Sequence, residues 1–326
     1  MYSLSPIALF AYQRLESLHR TLETLRRNEL ANESELYVFS DGAKSDEEAP
    51  AVLSVREKLR AIKGFQKVHL VERPENFGLA RNIIDGVSWV LKQYESVIVL
   101  EDDIETSPGF LRYMNDALEC YRNEPKVMHV SGYMFPVKGK LPSTFFYNTA
   151  SCWGWGTWRD RWQQAEWDAV QLCEQIEHSG RIADFNIGNT YPYFDHLRKN
   201  TTGEMRSWAV RWYANLFIKG GFALHPFPSL TQNIGMDGQG THCGVSDRYI
   251  WSELANHVPV KPIELRQSRK CILLMKQFHA SRSRTLRRSF RIRRIARRIF
   301  QHCAAWVARG VDRSSSRNRK PKSLKL

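Results

Sequence analysis

Three consecutive carboxylates, Glu101-Asp102-Asp103, close a run of four apolar residues, Val97-Ile98-Val99-Leu100. The run reads as a short strand buried on both faces. Three acids at its end repel one another, and each resists leaving water. A divalent cation would remove that conflict, since carboxylate oxygens are the ligands Mg²⁺ and Mn²⁺ prefer. In an open α/β sheet, the carboxyl ends of strands are also where ligands bind. An acidic turn opening the next helix is the competing reading. Ser107-Pro108 supports it, as an N-cap followed by proline at the first helical position.

A second group lies further on, in Trp153-Gly154-Trp155-Gly156-Thr157-Trp158, followed by Trp162. Trp158 and Trp162, at i and i+4, predict an inward helical face. Trp153 and Trp155 alternate with glycines that leave room for a ligand against the rings, and flat aromatic faces with polar rims suit sugars. Core packing is the alternative for this pair. Arg206 and Arg211 open a predicted helix from 203 to 218. Arg206 reads as a solvated face. Arg211 sits between Val210 and Trp212, where an unpaired charge is unwelcome, so it is expected to meet an acid or a diphosphate. The stretch 232–244 contains four glycines and reads either as a loop that orders over substrate or as a plain surface loop.

These groups need elements to hold them. Apolar segments at 6–12, 35–40, 67–71 and 97–100 predict strands. Leu15, Leu18, Leu22 and Leu25 mark a helix after the first strand, 51–62 a second, and the segment through Val87, Val90 and Leu91 a third. Strands alternating with helices mean βαβ units and a parallel sheet with right-handed crossovers. Polar residues stand at successive strand ends (Arg14, Asp41, then the acids), so they meet along one sheet edge. A helix at 108–123, a strand at 127–133 and a short strand at 224–226 complete the expected body. Neither GxGxxG nor GxxxxGK[ST] occurs, so phosphates here would be met by a metal rather than by a glycine-rich loop.

The chain has 326 residues, 42% hydrophobic and 25% charged, an ordinary globular composition. Its net charge of +14 is uneven: residues 281–326 hold 16 Lys or Arg against one acid, a net +15, which leaves the body at −1. A basic tail is thus not a basic domain. Residues 285–309 place Leu286, Ile292, Ile295, Ile299 and Trp306 among arginines, a pattern for a basic amphipathic helix on an anionic membrane surface. RNA binding is the weaker alternative, because the body lacks an aromatic-and-basic face. The last stretch, 311–326, reads as disordered. Six scattered cysteines without CxxC spacing fit free thiols in a reducing compartment. No secretory leader and no membrane span are expected from the pattern.

Taken in order, 6–14, Phe39-Ser40-Asp41-Gly42, 76–82, 100–103 with Ser107-Pro108, 153–162, 207–212 and 233–243 resemble bacterial glycosyltransferases of the GT-A fold. They are similar to family-two enzymes that build surface polysaccharides, with a more distant likeness to the N-acetylglucosaminyltransferase that starts complex N-glycans. The resemblance covers residues 5 to about 260. It implies a mostly parallel Rossmann-like sheet flanked by helices, a nucleotide-diphosphate-sugar donor and a divalent cation, Mn²⁺ or Mg²⁺. The acidic triplet matches a DXD-type motif, with Asp103 on the metal, and Glu101 and Asp102 against the donor's ribose or sugar. Arg14 and Asp41 fall where the family holds the nucleobase, and Arg81 and Asn82 in the segment closing over the donor. His242 falls near a second metal ligand. The acidic pair that supplies the distant relative's general base is here Ala209 and Val210, so Glu204 becomes the leading base and Asp237 the next.

The expected domains are 1–265, a catalytic body with a donor half (1–135) and an acceptor half (136–265), then a helical tail over 266–310 and the disordered end. The expected activity is metal-dependent hexosyl or N-acetylhexosaminyl transfer, inverting, onto a glycan or lipid-linked acceptor at the inner face of the cytoplasmic membrane. Trp153, Trp155 and Arg211 are expected around the acceptor. A nucleotidyltransferase, and a non-catalytic carbohydrate- or membrane-binding protein of the same fold, are the alternatives.

Overall fold

A computed structural model describes residues 3–235 and 247–280. The first four strands are β1 (Ile7–Ala11), β2 (Glu35–Ser40), β3 (Lys67–Glu72) and β4 (Ser96–Glu101). They pair in parallel, with Leu9 opposite both Val38 and Leu100. All five residues of β1 are buried, as a strand covered on both faces requires. Period-two alternation divides the strands between two cores. Ile7, Leu9, Val38, Ile98 and Leu100 face helices α1 (Leu15–Arg26), α2 (Ala49–Arg60) and α4 (Phe110–Cys120). Ala8, Phe10, Phe39, Val97 and Val99 face α3 (Gly78–Leu91) and α9 (Trp208–Ile218).

After β4 the chain turns through the acids into a short strand, β5 (Ile104–Thr106), and then α4. The second half adds β6 (Val127–Ser131), β7 (Thr144–Phe146), β8 (Trp155–Trp158) and β9 (Phe222–Pro226), giving one eight-stranded sheet in the order β3-β2-β1-β4-β8-β6-β9-β7. β8 lies antiparallel between β4 and β6, and β9 runs parallel to β6. The sheet is therefore mixed, with its β1–β4 half parallel, flanked by helices as expected. A separate ribbon pairs β5 with β10 (Thr231–Asn233). The short helix around Trp162 is α5 (Arg159–Gln163), and three more helices before α9 were not foreseen: α6 (Ala169–His178), α7 (Ile182–Phe185) and α8 (Tyr193–Thr201). Among them α6 and α8 build a third apolar cluster against α9, with Leu172, Ile176 and Leu197 at its centre.

Three local expectations change. Helix α4 begins at Phe110 behind Gly109, and Ser107 does not cap it with its side chain. Ser107 instead donates its N–H to the Leu230 carbonyl, which draws it toward β10. Trp158 ends a strand rather than starting a helix, although it and Trp162 are both buried as predicted. Helix α9 starts at Trp208, not 203, where the Ser207 hydroxyl accepts the Val210 N–H.

The first compact unit runs from Met1 to Lys276, past the expected boundary at 265. Gln267 bridges to Phe146, and Cys271 and Met275 are fully buried, so this stretch belongs to the body rather than a tail. The second unit is Gln277–Leu326, and the predicted amphipathic helix and terminal segment lie outside the described residues. Among the described residues, no helix is long and apolar enough to cross a membrane.

Candidate active site

The acids stand where β4 leaves the sheet, and β1 supplies their partners. β1 ends at Ala11. The Tyr12 N–H donates to Asp102 Oδ2 at 3.1 Å, and two residues on, Arg14 stands at the N-cap of α1. Arg14 Nη2 bonds Asp102 Oδ1 at 2.8 Å and Asp103 Oδ2 at 2.9 Å. The Thr21 hydroxyl on α1 donates to the Asp102 carbonyl, so the helix is pinned against the turn it faces. The Asp103 carbonyl accepts the Ile234 N–H, which ties the segment after β10 to the same turn.

The electrostatics follow from crowding and burial. Burial raises the Glu101 carboxyl well above its ordinary range, and the charges of Asp103 and Asp102 add to this. Asp102 is pushed up to about 6, mainly by burial, with Arg14 pulling the other way. Burial works against the Arg14 charge, but Asp102 and Asp103 outweigh it and hold the guanidinium protonated. Asp103 Oδ1 and Arg14 Nη1 are buried without a hydrogen-bond partner among the described residues.

Asp41 is placed differently from its expected role. Its Oδ1 accepts from the Gly42 and Phe77 N–H groups at 2.9 and 2.8 Å, and its Oδ2 from the Gly78 N–H at 2.9 Å and Asn76 Nδ2 at 3.3 Å. Four donors fill a carboxylate. Asp41 therefore caps α3 from a neighbouring loop, with no lone pair left for a base. Gly42 permits this, because a Cβ there would stand 2.4 Å from the Glu75 carbonyl carbon. Asn82 is likewise committed: it is buried and accepts Arg73 Nε at 3.0 Å. Arg81 stays exposed on the first turn of α3, over the Phe77 ring at 3.8 Å.

Trp155 corrects the aromatic reading. It is fully buried, stacked between His129 at 5.3 Å and Trp208 at 5.2 Å. The glycines beside it serve packing rather than a ligand: a Cβ on Gly156 would stand 2.9 Å from both Met114 Cε and the Val97 carbonyl oxygen. Trp153 is half-buried at the sheet edge, edge-on to Tyr133 at 4.5 Å and to Tyr249 at 5.9 Å. Its carbonyl accepts the Thr231 hydroxyl, which keeps it beside the β5–β10 ribbon. Arg211 meets no acid among the described residues. Its Nε and Nη1 bond the Ser207 and Trp167 carbonyls at 3.2 and 3.0 Å, and burial lowers its pKa. Glu204 is exposed between α8 and α9, accepting from the Thr202 hydroxyl at 3.4 Å. His242 and Asp237 lie outside the described residues.

The structure thus brings Arg14, Asp102 and Asp103 together, places Glu101 beside them, and engages Asp41, Asn82 and Arg211 in hydrogen bonds within the fold. Sequence reasoning missed two residues. The Tyr12 hydroxyl donates to Glu48, and burial with that bond raises its pKa to about 12. Its place directly after the first strand was the available signal. Gly235, the first glycine of the 232–244 stretch, lies against the Arg14–Asp103 pair. A cavity of about 360 Å³ opens elsewhere, lined by Pro6, Glu35, Gln66 and Tyr94 near the starts of β1 to β3, and contains none of these residues.

Residues 7–128 match the model described as glycosyl transferase family 2. Two solved structures are similar. The crystal structure of S. aureus TarS shares 13% identity and a TM-score of 0.36, over 69% of this chain and 36% of that one. S. aureus TarS 1-349 shares 12% identity and the same TM-score of 0.36, over 69% of this chain and 59% of that one. This chain thus spans less than two thirds of either. No curated protein matches. Strand ends, acidic triplet and the match to this family model all fall in the parallel half of a helix-flanked, GT-A-type sheet.

Proposed function

We propose that the chain transfers a hexosyl or N-acetylhexosaminyl group from a nucleotide-diphosphate-sugar to a hydroxyl of a glycan or lipid-linked acceptor. The reaction is metal-dependent and inverting, and serves surface polysaccharide synthesis. The observation that carries this reading is the Arg14–Asp102–Asp103 cluster at the ends of β1 and β4, inside the segment that matches the family.

Asp103 fits a hard cation, since its buried Oδ1 has no other partner among the described residues. No group of three His, Cys, Asp or Glu converges among those residues. Further ligands would be diphosphate oxygens and water, as Mg²⁺ sites built on one or two carboxylates commonly use, with His242 as the proposed protein addition. The bound cation supplies Lewis-acid stabilisation of the departing diphosphate. Arg14 adds a second positive charge to that anion through its unpartnered Nη1. Asp102, fixed by Tyr12 and Arg14, presents negative charge toward an oxocarbenium-like sugar. Glu204 takes the acceptor's proton, a role typically worth ~10²–10⁴-fold. Trp153 offers the acceptor an aromatic face, Arg81 reaches over the donor, and the basic tail holds the enzyme on an anionic inner membrane.

One observation favours a second reading, a carbohydrate-binding protein without catalysis. The first turn of α9 carries Ala209 and Val210 and no acid. Incubation with a panel of nucleotide-sugars and Mn²⁺ separates the two. Release of nucleoside diphosphate that is lost in Asp103→Ala supports transfer, and donor binding without turnover supports the alternative. Near-normal turnover in Glu204→Gln, or product with retained configuration, would remove Glu204 as the base.

A further inference from the structure

Arg14 sits where a cation is wanted. Its Nη2 bridges Asp102 and Asp103, leaving Nη1 buried and unpartnered among the described residues, while Asp103, 7% exposed, leaves Oδ1 in the same state. One spot thus buries an unused donor and an unused acceptor of opposite charge. Both are costly to leave so, and both belong to groups that already share a bond. Gly235 covers them closely: a Cβ there would stand 2.2 Å from Asp103 Oδ2 and 2.7 Å from Arg14 Nη1. The Gly235 N–H is held by Asn233 Oδ1 at 2.8 Å, so the cover is itself anchored.

We propose that Arg14 is a built-in counter-ion that holds the acidic pair together without donor and competes with the divalent cation for Asp103, so that cation and nucleoside diphosphate bind strongly only together. The proposal rests on the donor-and-metal reading above. A cation arriving alone meets a guanidinium already neutralising its ligand, and the two repel across a half-buried site. A diphosphate arriving with it gives Arg14 a second anion, which the planar fork of the guanidinium suits. Arg14 then shifts toward the phosphate while the cation takes Asp103. No covalent bond forms or breaks. Arg14 acts here as a positioning residue.

Calorimetric titration of the full chain with MnCl₂, and with UDP, GDP, ADP and dTDP in the presence and absence of Mn²⁺, tests this on wild type, Arg14→Met and Arg14→Lys. Thermal melts establish that each variant is folded. Arg14→Met is expected to bind bare Mn²⁺ about tenfold more tightly than wild type, with the coupling between Mn²⁺ and nucleotide reduced toward one. Arg14→Lys is expected to keep the wild-type pattern. Structural damage alone would weaken Mn²⁺ binding, not strengthen it. Unchanged or weaker bare-Mn²⁺ binding in a folded Arg14→Met, with wild type still binding a nucleoside diphosphate and Mn²⁺, overturns the counter-ion role and leaves the donor reading intact. Wild type supplies a check that needs no variant: Mn²⁺ and nucleotide should raise each other's affinity by the same factor, about tenfold or more. A factor near one overturns the proposal. Wild type that binds none of the nucleotides overturns both readings.

Discussion

Replacing Asp41 by alanine separates two roles that one carboxylate could hold. The resemblance places Asp41 at the nucleobase, whereas the structure spends all of its lone pairs on Gly42, Phe77, Gly78 and Asn76. The Phe77 and Gly78 N–H groups belong to the start of α3, which has no side-chain cap of its own. Each backbone donor left unsatisfied costs roughly 1–3 kcal/mol, and the carboxylate also faces the positive end of the helix dipole. These groups are only part-buried, which places the expected loss at about 2–4 kcal/mol. At roughly 2–4 °C per kcal/mol for a domain of this size, the melting temperature should fall by about 10 °C. Asp41→Asn keeps one acceptor but turns an amide N–H₂ toward other donors, so it should lose about half as much. Urea denaturation and thermal melts measure stability, and titration with nucleoside diphosphates and Mn²⁺ measures binding at a temperature where the variant is folded. An Asp41→Ala variant as stable as wild type that no longer binds any nucleotide would refute the capping argument and restore the nucleobase role.

Two further outcomes follow from the same geometry. Gly235→Ala would drive a methyl into the Arg14–Asp103 pair, so kcat/KM in donor turnover should fall about 10²-fold while the denaturation midpoint barely moves; unchanged kinetics would remove Gly235 from the site. His129 and His225 are fully buried and neutral, with burial lowering their pKa values to about 3 and about 4. The unfolded chain binds protons at these residues below about pH 6.5 while the folded protein does not, so their contribution to stability falls as pH drops from 6.5 toward 4. Urea midpoints across that range measure it, and a midpoint independent of pH there would refute it.

The sequence by itself determined the parallel half of the sheet. Continuous apolar runs buried on both faces, alternating with helical spacing, allow little besides a parallel sheet. Its strand ends then gather Arg14 and the acids along one edge. Each of those signals is local, within ten or fifteen residues. What only tertiary structure decided is which polar groups stay free. Asp41 and Asp103 look alike in sequence, each an acid after a buried strand. The start of α3, brought in by the β3–α3 connection, fills the lone pairs of Asp41. Asp103 meets Arg14 on one side only. The tryptophans divided for the same reason. Insertion of β8 between β4 and β6 buried Trp155 and used its flanking glycines for backbone approach, while Trp153, two residues earlier, stayed at the rim. Partnership across a sheet depends on which distant segments arrive beside a residue, and spacing along the chain does not encode that.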